Sequence, residues 1–418
     1  MTTFEEIYKR LLDADIRGRS AQEIEKIGRE RKGLSELDCL LYPEKQPVIW
    51  KFSNCGCSPE EQVACADECS FDAIAPNQEG GIKIDPRVCV GCCACVDHCK
   101  DKRLTASKDI MAVLRALRKE REGLTYALVA PAFLGQFEEN VTPGKLRSAF
   151  KKMGFDGMIE VALFADILTL KEAMEFDHNI VKESDYQLTS CCCPMWIAMI
   201  RKIYHELMPH VPGSVSPMVA CGRTIKALHP DATTVFIGPC IAKKAEAREK
   251  DIAGAVDYVL TFEEVRDMLS ALKIDPADME ESYKDHSSRA GRIYARSGGV
   301  SEAVRKTVER ISPQRKITVH TQHADGVPAC KAMIGSILAG EAKANFYEGM
   351  GCVGGCVGGP KAILGREDGK RHVDEYGNGA TYATPIDNPY VVELLRRLGF
   401  ETVESLLADS DIFTRHFE

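Results

Sequence analysis

The feature that most constrains this chain is its cysteine content. Eighteen cysteines occur in 418 residues, and most fall in two dense groups, Cys55 to Cys99 and Cys191 to Cys193. The N-terminus has neither the basic start nor the apolar run of a signal peptide, so we expect a cytoplasmic protein. In a reducing compartment, clustered cysteines are more often metal ligands than disulfides. The fold is therefore expected to form around metal centres.

The tightest run has the spacing C-x2-C-x2-C-x3-C and consists of Cys89, Cys92, Cys95 and Cys99. This is a bacterial ferredoxin spacing, in which three close cysteines hold one [4Fe–4S] cluster and the fourth crosses to another. Zinc needs only four ligands and usually takes them from two separate C-x2-C pairs. The continuous run favours iron–sulfur clusters.

A second, altered set of four cysteines precedes this run: Cys55, Cys57, Cys65 and Cys69. The two sets together resemble two-cluster ferredoxins. The resemblance implies one [4Fe–4S] cluster on Cys55, Cys57, Cys65 and Cys99, and another on Cys69, Cys89, Cys92 and Cys95. Cys93 is spare in this scheme. Residues 51–105 are therefore interpreted as a small α+β ferredoxin-like domain with two clusters.

A glycine-rich stretch at residues 345–360 carries two further cysteines, Cys352 and Cys356. Glycine permits positive φ and lets the backbone approach a bound group closely. Their spacing of four predicts that both thiols lie on one side of a helical turn, where they could bind one cluster together. The alternative is a glycine-rich turn with two buried thiols.

The remainder of the chain reads as strand–loop–helix units. Strands are predicted at residues 126–132, 186–188, 233–237 and 316–319, and helices at 110–119, 163–176 and 391–398. Cysteine loops follow two of these strands, and open α/β sheets bind ligands at the ends of their strands. We predict an α/β domain over residues 106–418, with mostly parallel sheets flanked by helices, after a helical segment at residues 1–50.

Charge and hydropathy exclude two classes of partner. The net charge is −8 and no basic patch is concentrated in the sequence, so nucleic acid is not expected to bind. No apolar run is long enough to span a bilayer, so no membrane span is expected.

Three cysteine loops stand in order: residues 189–196, residues 238–244 and residues 348–356. Together they resemble the three signature motifs of the iron-only ([FeFe]) hydrogenases. The resemblance implies an enzyme that forms and oxidises H2 at an H-cluster, which is a [4Fe–4S] cluster joined to a diiron subsite with CO, cyanide and a bridging dithiolate. It also implies electron exchange with a soluble ferredoxin or similar carrier through the two accessory clusters, and maturation proteins that build the diiron site.

The resemblance also carries roles to single residues. Cys240, Cys352 and Cys356 would hold the H-cluster, together with one cysteine of the first motif. Counting back from Pro194 makes that ligand Cys193 and the proton-handling thiol Cys192, whereas counting forward from Thr189 moves both roles one residue earlier. The remaining implied sites are a cyanide-binding Lys243, proton-carrying Glu172 and Glu175, and contacts to the diiron ligands and cluster from Ala130, Pro131, Ser297 and Met350.

Several positions depart from the usual catalytic members. Pro212 stands where a proton-relay serine is expected, Gly238 replaces a methionine, and Met218 replaces a glutamine. With the third cysteine of the first motif, these changes indicate the less studied group B branch. Two alternatives remain: a redox or H2 sensor on the same scaffold, and a non-enzymatic iron–sulfur assembly or electron-transfer protein.

Overall fold

The computed structural model describes residues 4–30, 35–52, 56–77, 81–118, 123–190, 192–341 and 343–417. Cys55 and Cys191 lie outside these ranges, so the predictions made for them are not addressed by the structure. In the described ranges, no helix is long and apolar enough to cross a membrane.

Three helices open the chain: α1 (Phe4–Ile16), α2 (Ser20–Glu30) and α3 (Ser35–Leu41). An apolar stripe of α1 is buried, with Ile7 and Leu11 almost fully enclosed. Phe4 stacks against Phe52 of the ferredoxin-like segment. Most of the stripe joins a core formed by the larger domain, and Tyr8 Oη donates a 2.8 Å hydrogen bond to Asp267 of that domain.

The ferredoxin-like segment is built from short elements. In chain order they are β1 (Ile49–Lys51), α4 (Pro59–Asp67), β2 (Ile74–Pro76), β3 (Ile82–Ile84), α5 (Ala94–His98) and β4 (Leu104–Ala106). β1 pairs antiparallel with β4, and β2 pairs antiparallel with β3. The pairing of β1 with β4 brings the two ends of this segment together. The domain boundaries at residues 50 and 105 remain a prediction.

The larger domain contains two parallel sheets. Its strands are β5 (Thr125–Val129), β6 (Gly157–Glu160), β7 (Gln187–Leu188), β8 (Thr233–Gly238), β9 (Tyr258–Thr261), β10 (Thr321–Asp325) and β11 (Phe346–Met350). One sheet has the order β6-β5-β8-β9 and the other β10-β11-β7. Every pairing within them is parallel, which confirms the predicted class.

Helices pack around both sheets of the larger domain. They are α6 (Ile110–Leu117), α7 (Pro143–Met153), α8 (Ala162–Asn179), α9 (Pro194–Lys202), α10 (Pro217–Leu228), α11 (Ala242–Glu246), α12 (Phe262–Leu272), α13 (Arg289–Arg292), α14 (Gly299–Ile311), α15 (Val327–Leu338), α16 (Arg366–Asn378) and α17 (Pro389–Arg397). Alternate residues of one strand enter opposite cores: Val235 and Ile237 join one, and Phe236 joins the other. Burial on both faces explains why β8 is a continuous apolar run.

Two local predictions are wrong. The strand predicted at residues 316–319 lies at Thr321–Asp325, because the Asn345 side chain accepts from His320 N and donates to Thr318 O, which occupies the backbone before the ladder begins. Cys352 and Cys356 do not lie on a helical turn: Gly354 and Gly355 have φ of 85°, and a short 3-10 turn begins only at Cys356.

Candidate functional site

The three cysteine loops meet at the ends of parallel strands. The first motif follows β7, the second follows β8 and the third follows β11, as the sequence predicts for ligand-binding loops. β11 lies between β10 and β7, so the first and third motifs leave adjacent strands.

Two glycines bring the first and third motifs into direct contact. A Cβ on Gly349 would lie 1.9 Å from ring atom Cε3 of Trp196, and one on Gly351 would lie 2.5 Å from Met195 Cβ. No side chain fits at either position without displacing α9. The approach also lets Gly351 N donate a 3.3 Å hydrogen bond to Cys193 Sγ.

Four thiols gather where the loops meet: Cys193, Cys240, Cys352 and Cys356. Each interacts electrostatically with others of the set. Burial, followed by the neighbouring thiols, raises the pKa of Cys240 to about 11 and that of Cys356 to about 12. Among the described residues, no three His, Cys, Asp or Glu side chains could hold a single metal ion. Because burial raises the pKa of these thiols, they are neutral in the free protein and become thiolate ligands only when a cationic centre binds beside them.

Cys192 belongs to a different environment from Cys193. Its thiol faces Glu172 and Glu348 as well as the thiol set, and burial raises its pKa well above the ordinary value. Ser190 N donates a 2.7 Å hydrogen bond to Glu172 Oε1, which fixes that carboxyl beside the first motif. Cys193 thus lies with the thiol set, whereas Cys192 also lies beside the carboxyl of Glu172.

Lys243 lies beside the thiol set. Its side chain is 9% exposed, and its Nζ forms a 2.6 Å ion pair with Glu246 Oε2. Burial lowers the pKa of Lys243, and Glu246, Cys240 and Cys356 more than offset this, so the pKa stands above its ordinary value. A charged ammonium with donors to spare faces the thiols.

The other predicted contact positions surround the same place. Ala130 and Pro131 directly follow β5, and Ala130 N donates to Ile237 O at 2.9 Å, next to the second motif. Ser297 N donates to Gly354 O at 3.1 Å, while Ser297 Oγ is buried without a hydrogen-bond partner. Met350 is buried at the end of β11.

Glu172 and Glu175 share a face of α8 but have different partners. Burial is the largest influence on Glu172 and raises its pKa to about 8, although the bond from Ser190 N opposes the shift. Glu175 forms an ion pair with Lys171. Pro212 precedes Ser214 by two residues. The hydroxyl of Ser214 accepts a 3.0 Å hydrogen bond from Lys171 Nζ.

The ferredoxin-like segment brings together the two predicted sets of thiols. Cys69, Cys89, Cys92 and Cys95 interact with one another, and burial raises the pKa of Cys95 to about 12. Cys57, Cys65 and Cys99 line a separate cavity of about 250 Å³. Their predicted companion Cys55 is outside the described residues. Cys92 also interacts electrostatically with Cys352, so the inner set lies next to the thiols of the larger domain.

Three charged residues of the site were not assigned roles from the sequence: Glu348, Glu246 and Lys171. Glu348 accepts from Gly298 N at 2.9 Å and Ser301 N at 2.7 Å, and so fastens the Ser297 loop to β11. Glu348 stood in the third motif, which is the one signal that could have found it. Glu246 and Lys171 can be recognised only from the structure, by their burial or by partners distant in the sequence.

The donor set fits an iron–sulfur cofactor of the expected kind. The sixteen described cysteines form no disulfide, and soft thiolates suit iron clusters. The buried Ser297 Oγ has no hydrogen-bond partner among the described residues, as expected of a group that contacts a polar ligand of a cofactor.

Known proteins resemble this chain in sequence. The chain is 28% identical over 273 residues to iron hydrogenase 1 of Clostridium pasteurianum, covering 56% of this chain and 47% of that protein. It is 28% identical over 268 residues to the periplasmic [Fe] hydrogenase large subunit of Nitratidesulfovibrio vulgaris, covering 54% and 64%. The cytosolic Fe–S cluster assembly factor NAR1 of Kluyveromyces lactis is 34% identical over 95 residues, 23% of this chain and 20% of that factor. The chain thus spans about half to two thirds of the length of the hydrogenases it matches.

The fold has known counterparts as well. A variant of the [FeFe]-hydrogenase HydA1 from Chlamydomonas reinhardtii superposes with a TM-score of 0.61 at 21% identity, covering 74% of this chain and 98% of that one. This likeness concerns the fold. The family described as "Iron only hydrogenase large subunit, C-terminal domain" matches residues 124–360, which contain all three cysteine loops. Since that match extends over more than half of the sequence, the chain belongs to the iron-only hydrogenase family.

Proposed function

We propose that this protein forms and oxidises H2 at an H-cluster held by Cys193, Cys240, Cys352 and Cys356. The observation that carries the proposal is the meeting of these four thiols with the buried ammonium of Lys243, which Glu246 holds in an ion pair. Glu246 compensates this buried charge, and the same ammonium interacts with Cys240 and Cys356, where an anionic ligand of the cofactor could accept a hydrogen bond from it.

When bound, the H-cluster would supply the redox chemistry that joins two protons and two electrons into H2. Lys243 would donate hydrogen bonds to an anionic cyanide ligand, and Ala130, Pro131, Ser297 and Met350 would enclose the group. Cys192 would pass protons between the site and Glu172. Because its pKa is about 8, Glu172 holds a proton at neutral pH and can give it up at modest cost.

We further propose that electrons travel through two accessory [4Fe–4S] clusters. The inner cluster would be held by Cys69, Cys89, Cys92 and Cys95, and the outer one by Cys55, Cys57, Cys65 and Cys99. Support comes from the electrostatic contact of Cys92 with Cys352, which puts the inner set next to the H-cluster thiols. A soluble ferredoxin or similar carrier would deliver the electrons to the outer cluster.

The remaining proposals follow from the family. Maturation proteins would build the diiron site, the protein would work in the cytoplasm, and its three-cysteine first motif with Pro212, Met218 and Gly238 would put it in the group B branch. The alternative with an observation in its favour is an iron–sulfur assembly or electron-transfer role, because an assembly factor matches part of this chain. An H2-sensing role has no such observation.

Infrared spectroscopy tests the proposal. Anaerobic protein with its iron–sulfur clusters intact would be incubated with a synthetic diiron precursor. We expect sharp CO and cyanide bands that shift under H2, together with H2 production from a reduced viologen dye. Protein with full iron–sulfur content but no such bands would overturn the proposal and favour the assembly role. Cys356→Ser, which removes a ligand shared with the diiron subsite, should fail to retain the bands.

A further inference from the structure

The residue that follows Cys240 belongs to the core of the ferredoxin-like segment. Ile241 is fully buried, in a cluster that contains Val48 and Leu104 of that segment. Its backbone oxygen accepts a 2.9 Å hydrogen bond from Lys244 N, which begins the turn of α11. The second motif therefore passes from the thiols of the larger domain into the neighbouring core within one residue.

A glycine lets the ferredoxin-like segment come equally close from its side. Gly91, between Cys89 and Cys92, has a φ of 74°. A Cβ at this position would lie 3.3 Å from Ile241 O and 3.4 Å from Ala242 Cα, at the near limit of van der Waals contact. The loop that carries two thiols of the inner set thus lies backbone to backbone against the second motif.

Lys244 is a buried cation of α11 that faces away from solvent. Its side chain is 0% exposed, and its Nζ lies 3.1 Å from Glu264 Oε2 and 3.5 Å from Asp109 Oδ1. Asp109 lies directly before α6, and Glu264 is in the first turn of α12. The preceding residue, Lys243, interacts with the thiols instead. The ammonium of Lys244 therefore ties α11 to two other helices.

The two carboxylates around Lys244 are themselves fixed by the backbone. Glu264 Oε1 accepts a 2.8 Å hydrogen bond from Asp109 N, and Glu264 Oε2 accepts one of 2.8 Å from Thr261 N. Asp109 Oδ2 accepts a 3.2 Å hydrogen bond from Val259 N. A buried charge is stable only when it is compensated, so the cation and its two carboxylates act as one unit.

The two ends of the ferredoxin-like segment meet at the same place. Arg248, just after α11, donates a 2.7 Å hydrogen bond to Gln46 O before β1, and its Nη2 lies 3.8 Å from Asp109 Oδ1 after β4. Ser107 N donates a 2.9 Å hydrogen bond to Val48 O, which joins the two ends directly. The ion cluster of Lys244 thus lies where the segment, α11 and the larger domain come together.

We propose that Lys244 is a positioning residue: with Asp109 and Glu264, it holds the second motif against the Cys89–Cys92 loop. This inference rests on the proposed function, because the two loops it holds together carry thiols of the inner accessory cluster and of the H-cluster. Without the ammonium, two buried carboxylates would face each other uncompensated, α11 would lose its link to α6 and α12, and the two loops would move apart.

The first test uses anaerobic protein with its iron–sulfur clusters but without the diiron subsite. Electron paramagnetic resonance of the fully reduced protein detects the magnetic interaction between neighbouring clusters, which weakens steeply with distance. The part of the splitting that is absent from Cys193→Ala, a variant that lacks one of the four thiols, belongs to the pair of interest. Lys244→Met should reduce this part, and Lys244→Arg, which keeps the charge, should restore most of it.

A second variant guards against loss of the fold in Lys244→Met. Glu264→Gln removes one of the two charges that Lys244 contacts, but keeps a side-chain oxygen that can accept from Asp109 N. It leaves a single carboxylate for the cation to compensate. We expect a change of splitting in the same direction as in Lys244→Met and of smaller size.

The matched control is Arg147→Met. Arg147 is also a buried cation, with Nη2 2.9 Å from Glu160 Oε1, but this pair belongs to neither of the two loops. Its loss should destabilise the protein, because it leaves a buried carboxylate without its partner. The splitting between the clusters should stay as in the wild type.

Turnover of the loaded enzyme provides a second readout. Lys244→Met should lower H2 turnover with reduced ferredoxin by about tenfold, because a small displacement of a positioned group slows the step that depends on it. Turnover with a small viologen dye should fall much less. A merely structural role would lower both activities by the same factor.

The outcomes separate this inference from the proposed function. A cluster-loaded Lys244→Met protein with the wild-type splitting would overturn the positioning role; if that variant does not fold, the same result in Glu264→Gln would overturn it. Equal losses of turnover with both donors would overturn it too. Wild-type protein with CO and cyanide bands and H2 turnover sustains the proposed function in each of these cases. A splitting that depends on Lys244, in a loaded wild type without H2 turnover, would support the positioning role and refute the proposed function.

Discussion

At the scale of a residue, two carboxyls on one helix face show how neighbouring groups determine the charge state of a side chain. Glu172 and Glu175 are three positions apart on α8, yet Glu172 accepts a backbone hydrogen bond and lacks an ion pair, while Glu175 contacts Lys171. The same side-chain chemistry is therefore divided between an inner group that keeps its proton and an outer group with a compensating charge.

Glu172 should make stability depend on pH. Folded Glu172 keeps its proton up to about pH 8, while in the unfolded chain it loses it near pH 4.5. Between these values the folded state binds the extra proton, so the free energy of unfolding should fall as pH rises, by about 1.4 kcal/mol per pH unit at most for this one group. Glu172→Gln should show a flatter dependence in anaerobic guanidinium unfolding. Parallel pH profiles for the two proteins would contradict the assignment.

The two cysteines of the first motif should have separable roles. Cys193→Ala removes a thiol of the four-thiol set, so the purified protein should lose the iron of one [4Fe–4S] cluster. Cys192→Ala should keep that iron and, after diiron loading, the CO bands, but lose most H2 turnover. Iron analysis and infrared spectra of both variants provide the measurement. The opposite pattern, with iron lost from Cys192→Ala, would mean that the motif is counted from Thr189.

At the scale of an element, the glycines at the end of β11 determine how closely the strand approaches the first motif. Gly349 in the strand and Gly351 just after it carry no side chains at the positions where Trp196 and Met195 of the first motif lie against them. The next residue of the strand path is Cys352, so the closeness of two elements sets the distance between thiols of different loops. Glycine is needed here for space, while Gly354 and Gly355 just beyond are needed for their positive φ.

Gly349→Ala should therefore destabilise the protein strongly. The added Cβ would overlap the Trp196 ring at 1.9 Å, and overpacking of this kind costs about 3 kcal/mol. The control is Gly335→Ala in α15, where a Cβ meets nothing within 4 Å and the helix should gain up to about 1 kcal/mol. Anaerobic denaturant midpoints measure both. Equal midpoints for the two variants would show that Trp196 does not lie flat on β11.

At the scale of the whole molecule, the N-terminal helices tie distant parts together. α1 packs on the core of the larger domain through Ile7 and Leu11, and Tyr8 bonds to Asp267 on α12. Deleting residues 1–105 to test the accessory clusters would therefore strip apolar cover from the larger domain as well. Single cysteine substitutions in the full chain are the cleaner test.

Cys92→Ala should separate electron delivery from catalysis. It removes a ligand of the inner accessory cluster while leaving the four thiols of the larger domain in place. We expect H2 turnover with a small viologen dye to stay within about twofold of wild type, and turnover with reduced ferredoxin to fall at least tenfold. Cys221→Ala, at a buried cysteine outside both cysteine sets, is the control. Undiminished turnover with ferredoxin would exclude this route.

Much of the architecture could be predicted because it depends on local signals. Apolar runs identified β5 and β8, and cysteine loops at strand ends placed the three motifs together. The strand at residues 321–325 was misplaced because a side-chain amide from Asn345, beyond local view, binds the backbone before it. Lys171 and Glu246 were missed for a similar reason: a lysine or glutamate in a helix reads as solvent-facing until tertiary packing encloses it.

The ladder of β1 with β4 has a mechanical consequence. The ferredoxin-like segment begins at β1 and ends at β4, and the pairing of these two strands holds its ends together. Phe4 of α1 stacks against Phe52 next to β1. Electron tunnelling weakens exponentially with the width of the gap between centres. Because the ends of the segment are paired, the distance between the inner accessory cluster and the thiols of the larger domain would stay constant. Electrons would then cross at a rate set by that distance and by the driving force, without a movement of the segment.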